Sequence, residues 1–187
     1  MEPAGLETLL PPRLVPWSGS WYFGDSVAAR FFLFLAIMVR GAAMDNEMMG
    51  RVLVTVRVEN LEDLYRVGQG AIQSDEVRRV EVSDALVDTG ATMLSMPGRL
   101  IRQLGLAPLR VRQARTSVGT VPVQVYGTVR LTIQGRDCPS DVTELPDNCP
   151  VLIGQVPLEL LDFVVDPAGG RLIGNPEHGG EHVLELY

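Results

Sequence analysis

The stretch Asp84–Pro97, DALVDTGATMLSMP, decides the reading. It runs apolar up to a single carboxylate, Asp88, passes through Thr89 and Gly90, and turns apolar again. Asp, Thr and Gly are ordinary turn formers, so the tripeptide alone is a weak signal. Its setting is stronger, because a solvated surface turn seldom sits between two core-directed runs this close together. A carboxylate held there is expected to be partly desolvated. Gly90 allows close backbone approach to a neighbour or ligand, and the Thr89 hydroxyl can lock the loop by hydrogen bonding.

Working outward, the flanks read as short strands. Arg51–Glu59, RVLVTVRVE, alternates Val52, Val54, Val56 and Val58 on one face, with Leu53 the one apolar residue on the other. That is a period-two strand rich in β-branched residues. A long polar loop over Asn60–Glu76 leads to a second strand over Val77–Val87, and the two can pair as a hairpin. MPGRLIRQLGLAP sets Leu100, Ile101 and Leu104 at helical spacing, with Pro97 in the first turn and Gly105 at the stop. LRVRQAR, VPVQVYG and TVRLTIQG read as three further strands, the first two forming a hairpin tipped near Ser117–Thr120. PVLIG is a wholly apolar run fit for a buried central strand. PLELLD makes about two turns of helix from Pro157. FVVD, RLIG and HVLELY close the chain as short strands. Closely spaced strands with one or two short helices predict a mainly β fold that closes, or nearly closes, on itself.

The bulk composition bounds the function. At 187 residues, 46% apolar and 21% charged, the chain has ordinary globular composition and enough length for a real core. A net charge of −7 argues against a nucleic-acid partner, which needs an excess of Lys and Arg. Two cysteines, Cys138 and Cys149, do not make a disulfide framework; they read as reduced thiols near strand ends, one optional disulfide being the lesser reading. They also supply too few ligands for a structural zinc site.

Residues 1–48 stand apart from a domain expected over 49–187. Phe31–Val39, FFLFLAIMV, is bracketed by Arg30 and Arg40 and falls short of the roughly 20 residues a spanning helix needs. Its acidic approach makes a poor secretion signal. A leader, a weak anchor through residues 27–39, or a start assigned too early are the three readings. The regular pattern beginning at Gly50, just after Met44, Met48 and Met49, favours a dispensable extension; the domain itself is expected to be cytoplasmic.

Asp88 alone cannot perform aspartate-based peptide hydrolysis, which needs two carboxyls, one acting as base on a water and the other donating a proton to the scissile carbonyl. Two such groups about 3 Å apart cannot both ionise and titrate as a pair. The chain has no second Asp-Thr-Gly or Asp-Ser-Gly; Asp166, in VVDPAGG, is followed by Pro167 rather than a hydroxyl residue. The partner carboxylate is therefore expected from a second copy of the chain across a two-fold axis.

ALVDTGATMLSMP resembles the active-site loop of retropepsin-like aspartic proteases. VLIG, Val151–Gly154, followed by PLELLD, is similar to that family's apolar-apolar-Gly strand, which threads beneath the catalytic loop ahead of a short helix. RTSVGTVPVQVY falls where the family carries its flap. The order of elements matches over roughly residues 50–175. The resemblance implies a small closed β-barrel of the retropepsin type and a homodimeric aspartic endopeptidase without cofactor or metal. It implies Asp88 as catalytic, Thr89 as the hydroxyl bridging the two subunits' loops, and Gly90 and Ala91 as loop support. It further implies Ser117, Val118, Gly119 and Thr120 as the flap over an extended peptide substrate, and Leu152, Ile153 and Gly154 as packing beneath the loop. The lone flap glycine and a second LIG, Leu172–Gly174, depart from the pattern; the first LIG is preferred because a helix signal follows it. The final HVLELY is expected to add dimer-forming strands.

Two rival readings stand beside this one. HGGEH, His178–His182, has the His-x-x-Glu-His spacing of some zinc peptidases, but Pro176, Gly179 and Gly180 oppose the helix that motif needs. A non-catalytic dimeric β-barrel that binds extended peptides by strand addition is the reading from another functional class.

Overall fold

The computed structural model describes residues 51–116 and 119–184. The expectations for residues 1–48, the flap residues Ser117 and Val118, and Glu185–Tyr187 lie outside them.

The first strand, β1 (Leu53–Asn60), buries Val54, Val56 and Val58, with Val52 just ahead of it, and exposes the residues between, as the alternation requires. It pairs antiparallel with β2 (Arg79–Val87), Val56 opposite Val82 and Val58 opposite Val80. The connection between them corrects the sequence reading: residues 61–68 form a helix, α1 (Leu61–Gly68), rather than loop. Buried Asn60 caps it, its side-chain oxygen accepting from the Glu62 and Asp63 N–H groups at 2.9 and 3.2 Å. Asn60 also donates to the Leu104 carbonyl at 3.0 Å. Buried Asp63 receives Arg78 at two oxygens, 2.7 and 2.8 Å, which ties the helix to the start of β2. That guanidinium holds the Asp63 carboxyl below the usual carboxylate range.

Beyond the Asp88 loop come β3 (Leu94–Pro97) and α2 (Gly98–Leu104). The helix buries Leu100, Ile101 and Leu104 and stops at Gly105, whose φ of +61° is the left-handed conformation of a helix C-terminus. Next are β4 (Pro108–Thr116) and β5 (Gly119–Ile133). The expectation of two strands over 121–135 is corrected here. They are one 15-residue strand, and the register slips between Tyr126 and Val129, so Gly127 marks an irregularity within the strand and not a turn. β6 (Arg136–Leu145) was not anticipated. Its inward residues are Cys138, Ser140 and Val142, and Pro139 sits at an exposed position between them. A short β7 (Leu152–Ile153) is followed by α3 (Gln155–Leu160), which starts two residues earlier than expected. Pro157 is its third residue, where the missing N–H has no helical acceptor in any case.

The sheet order is β1-β2-β7-β3-β6-β5-β4, and β5 pairs back onto β1, Val56 opposite Ile133 and Val58 opposite Leu131. The pairings thus run round a ring with β4 on its outside. Inside lie Val52, Val56, Val58, Leu94, Met96, Leu131, Ile133, Val142 and Ile153, with Ile101 and Leu104 of α2 and Leu158 and Leu161 at α3 packed against them. Among the described residues the fold is mainly β, with three α-helices where one or two were expected.

A separate two-stranded sheet, β8 (Phe163–Asp166) with β9 (Arg171–Gly174), follows α3. Of HVLELY, only His182–Leu184 are among the described residues, and they form no strand. HGGEH is no α-helix either. Pro176–His178 make a single 3-10 turn ended by Gly179 at φ +63°. His178 Nδ1 lies 2.7 Å from Asp162 Oδ2, while His182 Nε2 meets the Leu160 carbonyl at 3.1 Å. The cysteines are both free and buried.

Candidate active site

β2 carries the chain into the Asp88 loop along two neighbours. The Val87 N–H donates to the Val52 carbonyl and the Asp88 N–H to the Ile153 carbonyl, each at 2.9 Å. β7 runs parallel here, Leu86 beside Leu152 and Val87 beside Ile153. The loop then closes on itself. Asp88 Oδ1 accepts from the Gly90 N–H at 2.9 Å, and the Ala91 N–H donates to the Asp88 carbonyl at 3.0 Å. One carboxylate oxygen is thereby fixed by a backbone N–H two residues on, the turn geometry Asp favours.

The return leg is held from below by α3. The first N–H groups of a helix have no partner inside it. Here the Gln155 N–H donates to the Ala91 carbonyl at 2.8 Å and the Val156 N–H to the Thr92 carbonyl at 3.0 Å. Gly154 makes this possible. A Cβ at that position would stand 2.5 Å from the Met93 carbonyl oxygen, 2.6 Å from its nitrogen and 2.7 Å from the Thr92 carbonyl carbon, all backbone. Residues 88–92 are thus stitched to the 153–156 segment by three backbone hydrogen bonds. Leu152, Ile153 and Gly154 are all buried. The second LIG sits elsewhere, in β9, with Leu172 opposite Val165.

The loop faces outward. Ala85 and Leu94, which bracket it, are fully buried, but Asp88 and Ala91 are half-buried and Thr89 and Gly90 exposed. Among the described residues no hydrogen bond uses the Thr89 hydroxyl, and Asp88 hydrogen-bonds to no other carboxyl. Asp166 is occupied in its own turn by the Gly169 N–H at 2.9 Å and by Arg171 at 3.1 Å, which together hold it below its ordinary pKa.

The β4–β5 hairpin reaches its tip with Thr116 opposite Gly119, and the Thr116 hydroxyl donates to the Gly119 carbonyl at 2.7 Å. Gly119 has φ +129°, a region that L side chains rarely adopt. Gly119 and Thr120 are both exposed.

A family model described as gag-polyprotein putative aspartyl protease matches residues 65–159. The chain belongs to this aspartyl protease family. The matched span begins in α1 and ends in α3, so it takes in the Asp88 loop, the hairpin and the strand-helix segment beneath the loop. No curated protein matches the sequence significantly. Among the described residues no group of three or more His, Cys, Asp or Glu is placed to hold a metal ion, and no helix is long and apolar enough to cross a membrane. For a chain of the aspartyl protease family, the groups that sequence reasoning missed are the Ala91 and Thr92 carbonyls and the Gln155 and Val156 N–H groups. Backbone atoms leave no side-chain signature, and Gly154 was the one residue that could have pointed to them.

Proposed function

We propose that the protein is a homodimeric aspartic endopeptidase in which Asp88 from each of two copies forms the catalytic pair within a retropepsin-type closed barrel. The observation that supports this most is the loop itself. In a chain of this family, an Asp-Thr-Gly is held rigidly by α3 and β7 yet turned outward, with its carboxylate half-exposed and its threonine hydroxyl free of any partner within the described chain. A second copy meeting the first at this loop supplies what each lacks, namely the other carboxyl and a partner for Thr89.

The chemistry follows from the pair. One Asp88, ionised, takes a proton from a water lying between the two carboxyls while the other, protonated, donates to the peptide carbonyl oxygen. The water oxygen bonds to the carbonyl carbon and gives a neutral gem-diol. The first carboxyl then passes its proton to the amide nitrogen, the C–N bond breaks, and the second takes back a diol proton as the carboxylic acid product forms. Gly90 and Ala91 shape the backbone beside the reacting carbon. Residues 117–120 at the hairpin tip cover an extended peptide, and Leu152, Ile153 and Gly154 hold the loop from below.

Replacement of Asp88 by Asn tests the mechanism: cleavage of a mixed peptide library disappears while the dimer mass and thermal melt are kept. Wild-type cleavage that survives the substitution, or a protein that stays monomeric while cutting, refutes it.

A further inference from the structure

The β4–β5 hairpin carries a charge imbalance that the proposed chemistry leaves unused. From Pro108 to Tyr126 it contains Arg110, Arg112 and Arg115 and no Asp or Glu, in a chain whose net charge is −7. Side chains directly opposite each other in an antiparallel pair share a face, so the register sorts these residues. Arg110, Arg112, Ala114 and Thr116 lie opposite Val125, Val123, Val121 and Gly119. On that face Val121 and Val125 are buried, and Ala114 and Thr116 are half-buried. Arg115 lies on the other face, opposite Thr120 and beside Pro122, both exposed. The first face is therefore turned toward the body of the domain and the second toward solvent.

The two inward arginines differ. Arg110 is paired with Asp141 of β6. Arg112, two residues nearer the tip, is exposed and enters no ion pair among the described residues. A guanidinium is a planar fork that matches a carboxylate with two parallel hydrogen bonds, and nothing of that kind within the described chain meets it. We infer that Arg112 is a specificity-determining residue that selects acidic side chains in the peptide lying under the hairpin. This rests on the proposed peptidase reading, in which the hairpin covers the substrate and so turns its domain-facing side toward it.

A competing explanation is that β4, as the outer strand of the sheet, carries arginines simply to deter pairing with other chains. Such a role makes no distinction between faces, so Arg112 and Arg115 would behave alike. The test uses the full-length protein and matched peptides that differ only in Glu, Gln or Lys at each position around the cleaved bond. The wild type favours a Glu peptide over its Gln counterpart in kcat/KM by about fivefold, the upper range for a solvent-exposed charge pair, and less at high salt. R112Q abolishes the preference, R112E turns it toward Lys, and R115Q retains it. No preference in the wild type, or equal effects of R112Q and R115Q, overturns the inference. A parallel arm measures binding of fluorescein-labelled Glu and Gln peptides to the D88N protein by anisotropy. If no Asp88-dependent cleavage is found, the peptidase reading fails and this arm still decides the inference. Tighter binding of the Glu peptide that R112Q removes upholds it, and equal binding overturns it.

Discussion

Substituting Gly154 by alanine tests the idea that the Asp88 loop is positioned by contact with the strand beneath it. The added methyl would meet the Met93 carbonyl oxygen and nitrogen at 2.5 and 2.6 Å, well inside van der Waals contact and against backbone that cannot rotate away. Overpacking of this kind costs about 1–3 kcal/mol. Relief requires the 92–93 backbone to lift, which stretches the bonds from Gln155 and Val156 to the Ala91 and Thr92 carbonyls, each worth about 1 kcal/mol. The total is about 3–5 kcal/mol, against a typical domain stability of about 5–15 kcal/mol. The melting temperature should fall by roughly 10 °C, and peptide cleavage should fall by a larger factor than the fraction of unfolded protein explains. Gly90→Ala is the comparison, because its methyl would stand 3.1 Å from a side-chain oxygen, Asp88 Oδ1, which can give way. Circular dichroism melts of the two variants read the difference. A Gly154→Ala protein that melts within about 1 °C of wild type refutes the reasoning.

Other outcomes can be checked as readily. Asp162 is held down to about 2, first by His178, then by Asn175 and the Val183 N–H. A depressed carboxyl stabilises the fold above its unfolded pKa near 4 and loses that contribution as pH falls toward 2. The D162N protein should therefore show a shallower loss of stability between pH 4 and 2 than wild type, and parallel acid-denaturation curves would contradict this. Burial pushes the Cys138 thiol up to about 11 and the Cys149 thiol in the same direction. Neither should react with an aromatic disulfide reagent at pH 8 until the protein is unfolded, when two thiols per chain appear; rapid labelling of native protein would show otherwise. Gly119→Ala strains a φ of +129° and should loosen the hairpin tip. The expected sign is faster amide exchange across Ala114–Val121, with the melting temperature little changed.

Much of the ring was legible because its strands obey the two-residue period, as Val52–Val58 do. α2 was legible for the same kind of reason, Leu100, Ile101 and Leu104 keeping helical spacing up to a glycine stop. α1 was missed although its signals were present, Asn60 as cap and Glu62 and Asp63 in the first turn. Its apolar residues Leu61, Leu64 and Val67 are only half-buried, so the helix rests on polar contacts such as Asp63–Arg78, which no hydrophobic pattern reports. β6 was hidden by Pro139 and by a polar inward residue, Ser140, in a strand where Pro at an exposed position is tolerated. At the site, Asp88 could be singled out from its apolar flanks, and the neighbouring LIG from the helix signal that follows it. The outward turn of the loop could not be read, because it depends on which backbone carbonyls α3 engages.

That helix has a second attachment. Its far end is gripped by Arg136, which donates to the Leu161 carbonyl at 2.8 Å and the Asp162 carbonyl at 2.6 Å and lies over the Phe163 ring at 4.5 Å. His182 holds the Leu160 carbonyl. A six-residue helix is only about 9 Å long. It therefore forms a short strut, with the Asp88 loop at one end and the 160–163 segment held by Arg136 and His182 at the other. The Asp88 loop and the 180–182 segment are thus joined through about a turn and a half of helix, so anything that shifts one is expected to shift the other.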